Sequence, residues 1–160
     1  MKLDTNFKKI DLPRIVICGS MSHYEIMVYC RDQLSQHKIP TVIPENERPV
    51  VKDIPKETYL KIKHDLSRQW LNEVANPRTF GILVVNKSKG GIDNYIGANA
   101  FAEIAVAFNS RKQIFLLHDL YPLYEDELLA WGVVPLLGRL EGLVSAYWQA
   151  DSETKIEDSR

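Results

Sequence analysis

Glu103 is the only acid in the run Ala98 to Asn109, and its neighbours Ala102, Ile104 and Ala105 are small or apolar. A carboxylate in such surroundings is crowded and partly dry, so it needs a partner or a purpose. It stands one or two helical turns past a Gly-rich loop, close to where that loop would hold a ligand. Two readings stay open: a group that does chemistry on the ligand, or an acid placed favourably near a helix N-terminus. A second candidate, Asp65, lies beside the apolar stripe Ile62, Leu66, Trp70 and Val74. It is either a site residue or part of a solvated Lys63-His64-Asp65 turn. Gly19-Ser20 ends an apolar run abruptly. Its amides and hydroxyl suit a phosphate or a sugar hydroxyl, or form a tight turn with Ser20 or Ser22 as N-cap. Asn86, Lys87, Ser88 and Lys89 read as loop residues or as a polar ligand rim.

Several chemistries find no support. GxGxxG and GxxxxGK[ST] are both missing, which leaves a dinucleotide cofactor or an ATP-driven reaction without a fingerprint. No His or Cys pair has metal-ligand spacing, so the expectation is no metal and no cofactor. There is no GxSxG elbow. His118 reads as a strand-end residue, and Trp70, Trp131 and Trp148 as packing.

The elements that must position these residues follow from periodicity. Phe80 to Val85 is a continuous apolar run, as in a strand covered on both faces. The loop Asn86 to Gly97 holds Gly90, Gly91 and Gly97, which allow backbone shapes closed to other residues. From Ala98 the pattern is helical, and Ile114 to Leu117 is a further interior strand. Upstream, the chain predicts a polar lead-in over 1–13, a strand at Ile15 to Cys18, a helix from Ser22 to His37 and a strand at Thr41 to Ile43. A Pro-rich loop over 44–56 and a helix from Glu57 to Ala75 follow. Downstream come a short helix Tyr124 to Trp131, a strand Val133 to Leu136, a helix Leu140 to Gln149 and a frayed polar tail over 151–160. Strands alternating with helices imply one three-layer α/β/α domain over 1–160, with a five-stranded parallel sheet of flavodoxin-like or Rossmann-like order. Ligands of such folds bind outside the carboxyl ends of the strands, where the strand order reverses.

Bulk properties narrow the partners. Lys plus Arg number 20 against 21 Asp plus Glu, a formal net charge of -1. That balance argues against a broad nucleic-acid surface or a basic membrane-binding face. No apolar run approaches the roughly 20 residues that span a bilayer. The N-terminal MKLDTNFKKIDL lacks a secretory apolar core, so the expected location is the cytoplasm, with Cys18 and Cys30 as free thiols.

Three segments together resemble one family. ICGSM at 17–21, HDLSRQWL at 64–71 leading into ILVVN, and IGANAFAEIAVAFNSRKQIFLL at 96–117 are similar to the nucleoside 2-deoxyribosyltransferase-like family, which includes 2'-deoxynucleoside 5'-monophosphate N-glycosidases. The resemblance covers residues 15–117. It implies a cleft that cleaves or exchanges the N-glycosidic bond of a nucleoside or nucleotide. Glu103 would be the nucleophile at the anomeric carbon, as in retaining glycosidases, and Asp65 would orient or protonate the base. Gly19 and Ser20 would contact the sugar or its 5' substituent, and Asn86, Gly97 and Asn99 complete the candidate substrate-binding set. A homo-oligomer is implied as well, with the helix bearing Tyr147 and Trp148 as a possible subunit contact. The chain departs from the family pattern where Asn99-Ala100-Phe101-Ala102 separates Gly97 from Glu103. Ser22 stands where the monophosphate hydrolases can carry an Arg, and Lys87 to Tyr95 lengthens the loop. Two rival readings remain: a non-catalytic nucleotide or sugar-phosphate binding module, and a ribonucleotide phosphoribohydrolase using Lys87 and Lys89 for its phosphate.

Overall fold

The structure, a computed structural model, describes residues 12–46 and 53–159. Most of the expected lead-in and the middle of the 44–56 loop lie outside the described residues. Strand β1 (Arg14–Gly19) alternates Ile15 and Ile17 toward one face with Val16 and Cys18 toward the other. A single 3-10 turn at Met21–His23 leads into helix α1 (Tyr24–Gln36), and β2 (Thr41–Val42) follows. Helix α2 (Lys56–Ala75), β3 (Thr79–Val85), α3 (Ala98–Asn109) and β4 (Gln113–Leu116) form the middle of the chain. Helix α4 (Glu125–Ala130), β5 (Val134–Pro135) and α5 (Glu141–Glu157) complete it.

All strand pairs are parallel, in the order β2-β1-β3-β4-β5. The direction of winding reverses between β1 and β3, so helices cover both faces and the expected three-layer α/β/α architecture holds. On one face, Met27, Cys30 and Leu34 of α1 and Leu143 and Tyr147 of α5 pack on Ile15, Ile17, Leu83 and Phe115. On the other, Val74 of α2, Ile104 and Ala107 of α3 and Leu128 of α4 pack on Val16, Ile82, Val84 and Leu116. Each strand therefore feeds two cores, which is why β1, β3 and β4 read as unbroken apolar runs.

Three expectations need correction. The tail does not fray at 151: α5 continues to Glu157, its exposed turns supported by Lys155 to Asp151 and Ser152 Oγ to the Trp148 carbonyl. Tyr147 is not a surface contact. It is 1 % exposed, stacks edge-on against Phe80, and donates its hydroxyl proton to the Pro13 carbonyl at 2.6 Å. The stripe on α2 is buried unevenly: Val74 is buried, Trp70 and Ile62 are half-buried, and Leu66 stays exposed, as do Leu60 and Tyr59 outside the stripe. Near its N-terminal end α2 runs past the layer it covers.

Candidate functional site

The crevice at the reversal of strand order lies between the loops that leave β1 and β3. Gly19 closes β1 with φ +145, and a Cβ there would meet the Val85 carbonyl at 2.9 Å. The two strand ends thus approach more closely than a side chain allows. Ser20 then caps the 3-10 turn: its Oγ accepts from the Ser22 N–H at 3.3 Å and shares a proton with Ser22 Oγ at 2.7 Å. The capping reading of Ser20 is realised, and the hydroxyl still faces the crevice.

From the β3 side, the loop folds back on itself. Lys89 and Ile92 exchange backbone hydrogen bonds at 3.0 and 3.1 Å around Gly90 and Gly91, whose φ values are +59 and +78. Two successive positive-φ residues are what a tight two-residue hairpin turn needs, so these glycines shape a turn. Ser88 Oγ donates to Asp93 across its base at 2.9 Å. The turn delivers Lys89 across the crevice, where its ammonium donates to Ser20 Oγ at 3.1 Å and lies 5.8 Å from the Tyr95 ring centroid.

On the α2/α3 face, beside Cys18 near the end of β1, lies Glu103. Residues Ala100, Glu103, Ile104 and Ala107 form the inward side of α3, so the periodicity that buries the helix carries the carboxyl in with it. Glu103 is 8 % exposed, and its Oε2 has no hydrogen-bond partner among the described residues. Burial pushes its pKa up to about 7, against a weaker lowering effect of the Cys18 thiol beside it. Cys18 in turn is raised well above the usual thiol range by burial and by the Glu103 charge, and the Trp70 indole faces its sulfur. A carboxyl that titrates near neutrality can serve as a nucleophile when ionised and a proton donor when not.

The other candidates are dispersed. Asp65 is exposed on α2, bonded to His64 Nδ1 at 2.8 Å and 3.6 Å from Lys61. The His64 hydrogen bond holds its carboxyl below the usual range, which favours an acceptor over a proton donor. Its recorded partners are its neighbours on α2, so it is not brought together with Glu103. Asn86 is fully buried and acts as a clamp: Nδ2 donates to the Asp119 carbonyl at 2.7 Å, and Oδ1 accepts from the His118 N–H at 2.9 Å. Gly97 sits at the N-terminus of α3 with φ -78 and ψ 171, a conformation open to other residues, so its presence is not forced by backbone shape. Asn99 is exposed one turn before Glu103.

No family model, curated protein or solved structure matches the chain.

Cys18 and Trp70 are the site residues that read in sequence as a plain thiol and a packing residue, and Lys89, which reads there as a ligand rim, is instead engaged with Ser20. Strand parity could have found Cys18, since Val16 and Cys18 must face opposite to Ile15 and Ile17. Nothing local in the sequence shows that Lys89 crosses to Ser20, because the contact joins residues 69 positions apart. Two clefts flank the crevice on the α1 side, one along Met21 to Ile26 and one between α1 and the β5–α5 connection, and Glu103 lines neither. Among the described residues, no group of three or more His, Cys, Asp or Glu is placed to hold a metal ion. No helix there is long and apolar enough to cross a membrane.

Proposed function

We propose that the chain cleaves or exchanges the N-glycosidic bond of a nucleoside or its 5'-monophosphate, with Glu103 as nucleophile. The observation that carries this reading is the buried Glu103 carboxyl with an unpartnered Oε2, set beside the end of β1 under the reversal of strand order. An ionised Oε2 free of hydrogen bonds has its lone pairs available to an electron-poor anomeric carbon. Attack there releases the base and leaves a glycosyl ester on Glu103, which water or a second base then resolves. The dry setting strengthens the attraction between carboxylate and oxocarbenium-like centre. The reading assigns no proton transfer to Asp65, whose carboxyl is held ionised. A small-molecule nucleoside or nucleotide is the proposed partner, and a homo-oligomer is the proposed state.

A non-catalytic nucleotide-binding module is the second reading, favoured by one observation: neither flanking cleft reaches Glu103. Chromatography of free bases separates the two. The purified chain is incubated with ribo- and deoxynucleosides and their 5'-monophosphates, with and without a second base. Base release that vanishes in Glu103→Gln supports the enzyme. Nucleotide binding without release, unchanged in Glu103→Gln, supports the module.

A further inference from the structure

On the opposite side of the sheet from Glu103, a cleft of about 530 Å³ opens between α1 and the β5–α5 connection. Its volume falls within the range of about 300–1,000 Å³ usual for small-molecule sites. Three hydrogen bonds build one wall. The Asn86 clamp fixes the His118 N–H at 2.9 Å, the Leu137 N–H reaches the His118 carbonyl at 3.4 Å, and the Gly138 N–H reaches the Leu117 carbonyl at 2.7 Å. Gly138 turns with φ +83. Lys87, His118 and Arg139, from three separate loops, line the cleft together with His37 at the end of α1. Glu141 is the single acid on the lining. Among the described residues, no acid forms an ion pair with Lys87 or Arg139. Lys87 and Arg139 against Glu141 leave the lining with a formal excess of one positive charge, in a chain whose own net charge is -1. The floor is apolar: Leu117 and Cys30 are buried there, and Tyr29, 60 % exposed, stands at the edge.

We propose that this cleft binds a small organic anion, with its acidic group on Lys87 and Arg139 and a ring-sized apolar body over Leu117 and Cys30, flanked by Tyr29. Guanidinium and ammonium groups favour carboxylate or phosphate oxygens through charge-assisted hydrogen bonds. The apolar floor supplies the area term. The site is separate from the Glu103 carboxyl and does not depend on its chemistry.

The test is a titration of the full isotope-labelled chain, followed by backbone amide spectra, with 1-naphthyl phosphate, 1-naphthol and inorganic phosphate as probes. The expected result is saturable shifts at 87, 117–118 and 137–140 with 1-naphthyl phosphate. Binding should weaken roughly tenfold or more for either fragment alone and for the double variant Lys87→Gln, Arg139→Gln. The spectrum of that variant reports in the same experiment that it is folded. Lys89→Gln and Glu103→Gln should leave the affinity within about twofold. Equal binding by the double variant, equal binding by 1-naphthol, or shifts centred on Ser20 and Lys89 would each overturn the proposal.

Discussion

Lys89 donates its ammonium proton to Ser20 Oγ at 3.1 Å, and so joins the two loops that leave β1 and β3 across the crevice between them. The contact is exposed, and an exposed polar pair of this kind contributes about 0.5–1 kcal/mol. Lys89→Ala should therefore barely move the melting temperature. Amide exchange across 87–95 should instead speed up by about two- to fivefold, the ratio that energy corresponds to. Hydrogen exchange read residue by residue checks this; unchanged rates would mean the Gly90-Gly91 turn holds itself.

Glu103 makes folding depend on pH in a direction opposite to the usual salt-bridged acid. Its pKa rises from 4.5 in the free group to about 7 in the fold. The folded chain therefore binds more protons than the unfolded one between those values, and stability falls as pH rises through that window. The stability is fully present below pH 4.5 and lost above about 7, with a span of about 3 kcal/mol for a shift of this size. Glu103→Gln removes the charge and should be the more stable protein at pH 8, with the gap closing toward pH 5. Urea denaturation at both pH values gives the answer.

The same titration sets a rate profile for the proposed glycosidase. A nucleophile must be ionised, so kcat/KM should climb about tenfold per pH unit below about 7 and level off above it. A profile that falls through that region would make Glu103 a proton donor instead.

Gly19 combines φ +145 with a 2.9 Å approach of its missing Cβ to the Val85 carbonyl. Gly19→Ala should lower stability by about 2 kcal/mol or more through strain and displacement of the β3 end. Thermal melting is sufficient to see it, and a neutral result would show that the strand ends can separate.

Asn86→Ala would leave the His118 N–H and the Asp119 carbonyl without their clamp. His118 is half-buried and Asp119 exposed, so water compensates in part and the loss is about 1 kcal/mol for each bond. The variant should melt several degrees lower, and the amide signal of His118 should shift most.

The fold was legible because β1, β3 and β4 carry apolar residues toward both faces, and the alternation with helices leaves few topologies open. The position of Glu103 was legible for a related reason: one acid at an inward helical position shows in the pattern. What surrounds it was not. Cys18 and Trp70 arrive from β1 and α2, so only the packing of three elements shows that they share its environment. Asn86 suggested a ligand rim because an Asn at a strand end has free polar atoms in sequence, whereas the β4 loop takes both of them. The tail looked frayed because it is polar, yet pairs four residues apart such as Lys155 with Asp151 suit a helix that already has a buried turn to extend. The stripe on α2, buried at Val74 but exposed at Leu66, shows the opposite limit: periodicity predicts an apolar face, not how fully it is covered.

The Tyr147 hydroxyl that ends on the Pro13 carbonyl has a consequence for biosynthesis. The two residues are 134 positions apart. Strand β1, which pairs with both β2 and β3, waits for a tether translated 134 residues later. With protein synthesis at about 5–20 residues per second, that wait lasts on the order of ten seconds. During it, the α1 face of the nascent sheet lacks the α5 residues Leu143 and Tyr147. Until then the helical residues that cover Ile15, Ile17 and Phe115 on that face are Met27, Cys30 and Leu34 of α1.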